Sequence, residues 1–242
     1  PQKLKTSFEP ILSPVITRNV KLGNHEAIAR QVSQVGFWIV AAQLGVALAL
    51  GIPGEAVMGL VGPSFVGGTG ALAGLLAAEV LAAPAVVSEA ALVYLARMRN
   101  LLVSIATIAL QAALTVILIL VARRLEMPDL TVAAMPAVAL AIALGCASIA
   151  KALLLGSLLR APIGVWRARL VIAALVAIFI GTGFTLLPGH YEWVELVIGL
   201  PATLLVYCAI VWTFAFNDAD RTLFRRSRGG KMPPPAELAE EG

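Results

Sequence analysis

Apolar runs alternate with short polar segments along this chain, and the runs are too long for the strands or helices of a water-soluble core. A helix crossing the roughly 30 Å hydrocarbon layer needs about 20 mostly apolar residues. Six stretches meet that demand: Val35–Ile52, Gly70–Ala96, Leu101–Ala122, Thr131–Leu155 with an extension to Leu159, Leu170–Leu187 and Val194–Phe216. The breaks between them carry helix-ending chemistry, such as Gly51-Ile52-Pro53-Gly54, Met127-Pro128-Asp129, Ala161-Pro162-Ile163-Gly164 and Leu187-Pro188-Gly189. Proline removes a backbone donor there, and glycine permits dihedrals that other residues avoid. The pattern predicts an all-α fold, a polytopic membrane bundle of about six transmembrane helices.

The organisation follows directly. Residues 1–34 read as a cytoplasmic or interfacial helical segment, because Ile11, Leu12, Val15 and Ile16 recur at helical spacing. Residues 35–216 form the six-helix bundle, and residues 217–242, basic and then rich in Pro and Glu, read as a disordered cytoplasmic tail.

Composition sharpens this picture. Of 242 residues, 60% are hydrophobic and 13% charged, against about 45–50% and about 25% in soluble domains. Water does not solvate such a surface; lipid does. The net charge of +4 is no sign of nucleic-acid binding, because the cations sit in loops between apolar runs. Lys3, Lys5, Arg18, Lys21 and Arg30 precede the first span; Arg97 and Arg99 follow the second; Arg160, Arg167 and Arg169 follow the fourth; Arg221, Arg225, Arg226, Arg228 and Lys231 follow the sixth. With six spans all of these share one side, which the positive-inside rule makes cytoplasmic, with both ends of the chain there. Arg123 and Arg124 face the other way, offset by Glu126 and Asp129. Trp38, Trp193, Trp212, Phe214 and Phe216 fall near span ends, where amphipathic rings favour the headgroup layer.

Sequence motifs for enzymatic chemistry are absent: the chain contains no GxxxxGK, HExxH, GxSxG or CxxC. Cys146 and Cys208 lie inside apolar runs and read as buried, inert thiols, and His25 and His190 fall on opposite sides, so no metal site, cofactor or enzymatic activity is expected. The informative groups are the ionisable residues placed in the bilayer, where a charge at a helix centre costs about 2.5–3.5 kcal/mol on insertion scales. Glu79 lies roughly 14 Å below the outer end of its span at 1.5 Å per residue. It either lines a cavity and exchanges a proton or pairs with a neighbouring helix. Glu89 and Lys151 lie deeper toward the basic side. They either pair or leave Lys151 snorkelling alone to the headgroups, and the snorkelling arrangement is the preferred one. Glu79 and Glu89 are about 80° apart around the helix, so they border one broad cavity without stacking. Pro84 lies between them, and Pro136 and Pro201 interrupt other spans. Ser104, Thr107, Gln111 and Thr115 make a polar stripe on the third span, fitting helix packing better than a water-filled path.

An ordered series of features resembles the C-terminal part of a polysaccharide flippase of the multidrug/oligosaccharidyl-lipid/polysaccharide exporter superfamily. The series runs from Phe8-Glu9-Pro10-Ile11-Leu12-Ser13-Pro14 through Gly23-Asn24-His25 and Ala29-Arg30-Gln31 to Leu60-Val61-Gly62-Pro63-Ser64-Phe65-Val66-Gly67-Gly68, and on to the turn Arg97-Met98-Arg99-Asn100 before a long apolar span. It covers residues 6–215 in pattern and contains no catalytic motif. The resemblance implies two pseudo-symmetric bundles, of which this chain supplies the last six helices; an opening Pro1 in place of Met agrees with a fragment. It further implies a lipid-linked oligosaccharide on an undecaprenyl diphosphate carrier, moved across the bacterial inner membrane by alternating access. Lys151, Arg97 and Arg99 are then the cations within reach of the diphosphate, and Glu79 and Glu89 the pathway carboxylates. Alternatives are a cation-coupled multidrug or small-solute antiporter of the same superfamily, a membrane enzyme of polysaccharide assembly, for which the outer loops are short, and a non-catalytic membrane subunit.

Overall fold

The computed structural model describes residues 16–20, 22–185 and 194–216. Helix α1 (His25–Gly51) is followed by a short α2 (Gly54–Val61), a 3-10 turn (Pro63–Gly68), α3 (Thr69–Leu95), α4 (Arg97–Arg124), α5 (Asp129–Leu159) and α6 (Ala168–Thr185). The last element, α7 (Glu195–Ala215), is α-helical over Leu200–Ile210 between π-helical turns at Glu195–Gly199 and Val211–Ala215. Among the described residues there is no strand, and six helices are long and apolar enough to cross a membrane. The chain is a membrane-embedded helix bundle.

Helix α1 starts ten residues before the apolar run that marks it in the sequence (His25 against Val35), because Asn24 caps it. The Asn24 side chain accepts the Ala27 N–H at 3.1 Å, satisfying one of the amides that a helix start leaves without a partner. At the far end of α5, Arg160 adopts a left-handed conformation (φ 52°) and the chain leaves the helix ahead of Pro162. Residues 16–20 are helical, with Ile16 buried in the core, and residues 25–34 of the expected interfacial segment are the first turns of α1; residues 1–15 and 21 of that segment, the tail after 216, His190 and Trp193 lie outside the described residues.

Helices α3 and α5 run parallel and share the largest contact, with α4 beyond α5, α1 beyond α3, and α7 joining α1 to α6. Small residues permit the close α3–α5 approach: a Cβ on Gly74 would come within 2.9 Å of the Ala137 methyl, and one on Gly70 within 3.7 Å of Ala134. In hydrocarbon no hydrophobic effect drives helices together, so such backbone proximity and the dispersion it allows hold the pair. Helix α4 is peripheral, with only Asn100 and Ala122 buried. Its Ser104, Thr107, Gln111 and Thr115 occupy its half-buried side, and Thr107 donates to its own helix at Val103 (2.8 Å). The cysteines differ from expectation: Cys146 and Cys208 are both exposed on the outside of the bundle. Apolar runs in the sequence do not distinguish a lipid-facing position from a core position, since both favour the same residues.

The segment between α5 and α6 straps the arginine-bearing end together. Val165 is buried against Gly36, the Gly164 N–H donates to Ser33 Oγ at 3.2 Å, and the Arg167 guanidinium lies 3.7 Å over the Phe37 ring. Arg167 and Arg169 then donate to the carbonyls of Ala215 and Phe214, at 2.8 and 3.0 Å. These carbonyls end α7 and have no partner in their own helix, and cations are favoured there by the helix dipole.

Candidate functional site

Polar side chains inside the bilayer gather where α1, α3 and α5 meet. In the N-terminal half of α3, Glu79 is half-buried and accepts a hydrogen bond from Gln43 Nε2 of α1 at 3.3 Å. Toward the arginine-bearing end, Glu89 Oε2 meets Lys151 Nζ of α5 at 2.8 Å. The lysine side chain is 6% exposed and the glutamate 34%. Lys151 therefore does not snorkel alone: its ammonium is turned inward to a carboxylate. The reason is geometric, since the parallel α3 and α5 bring the two residues level, about 9–12 Å below the helix ends at 1.5 Å per residue.

Between the two pairs, Pro84 interrupts α3. Proline has no N–H, and its ring crowds the preceding turn. In a regular helix the Ala85 N–H would donate to the Leu81 carbonyl. Here the Ser148 hydroxyl of α5 stands between them, accepting from Ala85 N–H at 3.2 Å and donating to Leu81 C=O. Ser148 is 5% exposed, so no water is at hand to do this. One turn further along, Ser88 is fully buried and its hydroxyl has no partner among the described residues.

The structure thus pairs Glu89 with Lys151 and, about 15 Å away along α3 at 1.5 Å per residue, Glu79 with Gln43, while Ser148 braces the helix between them. Gln43 and Ser148 are two residues that sequence reasoning passed over. Gln43 carried a usable signal: it is the amide side chain within the first apolar run. Ser148 carried none, since serine is ordinary in membrane helices and only the packing of α5 on α3 puts it beside Pro84. Arg97 and Arg99 are not part of this cluster. Both are exposed in the first turn of α4, about 12–15 Å along the chain's course from Glu89, and neither forms an ion pair among the described residues. The described residues hold no group of three His, Cys, Asp or Glu side chains able to bind a metal ion.

Chemically, the cluster offers one carboxylate hydrogen-bonded to a neutral amide, one salt-bridged ammonium, and a helix whose middle is braced by a neighbour's hydroxyl. No nucleophile is paired with a base in it. The chain matches no family model, no curated protein and no solved structure.

Proposed function

We propose that this bundle belongs to a membrane transporter, a flippase that moves lipid-linked oligosaccharide or polysaccharide precursor across the bacterial inner membrane by alternating access. The observation that carries the reading is the chain of polar groups Gln43, Glu79, Glu89 and Lys151 held at membrane depth on three helices, two of them flanking a proline break. Ionisable groups in hydrocarbon are expensive, and substrate or ion pathways are where such groups are kept. Broken helices likewise concentrate where transporters line their cavities. The substrate class comes from the resemblance to polysaccharide flippases, with a second bundle as partner and Lys151 as the cation nearest a pathway for the carrier diphosphate. Arg97 and Arg99 serve at the basic mouth, on the cytoplasmic side.

The test is transport by the protein together with its native partners in cells and in proteoliposomes. A labelled lipid-linked oligosaccharide becomes accessible to an added, membrane-impermeant glycosidase when it is flipped. Glu79→Gln and Lys151→Met are expected to slow this at normal protein level, with lipid-linked precursor accumulating in cells. Unchanged flipping and unchanged surface glycan in both variants would remove the cluster from any transport role. Extrusion of a cationic dye that depends on Glu79, without oligosaccharide flipping, would replace the flippase by the cation-coupled antiporter.

A further inference from the structure

At the end of α5 opposite the strap, the α4–α5 hairpin holds a cleft that the polar cluster does not use. Ile119 and Arg123 lie four residues apart on α4, and Asp129, Val132, Ala133 and Pro136 recur at helical spacing on α5. These two faces, with Met127 of the turn between them, border a space of about 480 Å³. The turn is fixed by its own backbone. The Met127 N–H donates to the Ala122 carbonyl at 3.0 Å and the Glu126 N–H to the Arg123 carbonyl at 3.1 Å, with Glu126 left-handed at φ 51°. Such paired bonds close a helix tightly, and α5 begins directly after Pro128.

Two opposite charges are mounted on this turn. Arg123 and Asp129 both line the cleft and both are exposed. Neither forms an ion pair or a side-chain hydrogen bond among the described residues. Each sits at the helix end whose dipole complements it, Arg123 in the last turn of α4 and Asp129 in the first turn of α5. The cleft therefore presents a cation and an anion that do not neutralise each other. Beneath them its wall is apolar. From Asp129 to Pro136 it descends about 10 Å at 1.5 Å per residue, against about 15 Å for one leaflet's half of the hydrocarbon layer. An occupant has to be dipolar at the top and apolar below.

We propose that the α4–α5 cleft binds a zwitterionic glycerophospholipid with a primary ammonium, of the phosphatidylethanolamine class. The phosphodiester lies at Arg123, the ammonium at Asp129, and the upper part of an acyl chain against Ile119, Ala133 and Pro136. A guanidinium fork matches a pair of phosphate oxygens. A primary ammonium donates N–H bonds to a carboxylate, which a quaternary choline does not. An anionic lipid brings no ammonium at all and sets its charge beside Asp129. The site stands apart from the transport reading and needs only that the hairpin be in a membrane.

The experiment is native mass spectrometry of the full chain in detergent, with added phosphatidylethanolamine, phosphatidylcholine or phosphatidylglycerol of identical acyl chains. Phosphatidylethanolamine is expected to be retained over both others. An exposed ion pair is worth up to about 1 kcal/mol, so Asp129→Asn should cut that preference about fivefold, and Arg123→Gln should lower phosphatidylethanolamine retention by about the same factor. Arg124→Gln removes the same charge from a neighbour that does not line the cleft, and should leave retention unchanged. Ala133→Trp, which fills the cleft, should lower retention of all three lipids, in protein whose circular dichroism shows the wild-type helix content. Equal retention of the ethanolamine and choline lipids overturns the proposal, as does stronger retention of phosphatidylglycerol or a preference indifferent to Asp129. An Arg124→Gln effect equal to that of Arg123→Gln would show bulk surface charge instead of a site. Displacement of the lipid by millimolar phosphoethanolamine alone would show a soluble-zwitterion site and overturn the acyl-chain assignment, and a second copy of the chain seated on the cleft in place of lipid would also overturn it.

Discussion

Removing the carboxylate of Glu89 should destabilise the bundle by an amount the geometry bounds. At 2.8 Å and an effective dielectric of about 20, opposite unit charges attract by roughly 6 kcal/mol. Most of that is offset by the several kcal/mol needed to strip each ion of its solvent. The intact pair therefore contributes little relative to two apolar residues, yet breaking it is costly, because the 6%-exposed lysine side chain keeps its desolvation without its partner. Deleting one member of a buried pair costs about 3–5 kcal/mol. Glu89→Gln retains an acceptor within reach of Nζ, so a loss of about 2–3 kcal/mol is expected, from the lower part of that range. Lys151→Met leaves a carboxylate that is one-third exposed and can turn toward the headgroup water, so about 1–2 kcal/mol is expected there. The double variant should lie within about 1 kcal/mol of wild type, since neither charge remains to be solvated. Reversible unfolding in lipid bicelles, read by circular dichroism, measures all three. A double variant that loses the sum of the two singles would mean that the residues do not interact, and the argument fails.

Ser148→Ala should cost about 1–3 kcal/mol, because it strands the Ala85 N–H and the Leu81 carbonyl in a dry contact; in a Pro84→Ala background, where α3 closes its own hydrogen bonds, the same change should cost markedly less, and equal costs would deny the brace. Ser88→Ala should be neutral or slightly stabilising in the same unfolding assay, since the hydroxyl it removes is buried without a partner; a loss above about 1 kcal/mol would reveal a hydrogen bond. With Cys146 and Cys208 replaced by alanine, single cysteines at Arg99 and Arg160 should react with a membrane-impermeant maleimide from one face of sealed vesicles and a cysteine at Arg124 from the other; any other partition breaks the six-span topology.

Much of the fold is legible along the chain because hydrocarbon imposes a simple rule. Every span must be apolar for the thickness of the layer, and it must close its backbone hydrogen bonds within itself. That rule marks six helices and singles out Glu79, Glu89 and Lys151 as residues needing a partner. The Pro- and Gly-bearing turns after α1, α4 and α5 fall where the sequence breaks them, whereas α3 ends at Ala96 with neither residue. The rule also makes the lipid-facing and bundle-facing sides of a helix read alike, so Cys146 and Cys208 looked buried, and α4 gave no sign of its peripheral place.

What only the tertiary structure decides is who meets whom. Lys151 could reach the headgroups or a carboxylate with the same side chain; the parallel packing of α3 on α5, permitted by Gly74 against Ala137, selects the carboxylate. The same packing sets Ser148 into the gap that Pro84 opens and brings Gln43 of α1 to Glu79. Along one helix, spacing of 3.6 residues per turn determines which side chains share a face. Between helices the partner depends on crossing, register and depth, and these come from contacts spread over dozens of residues, which no local pattern encodes.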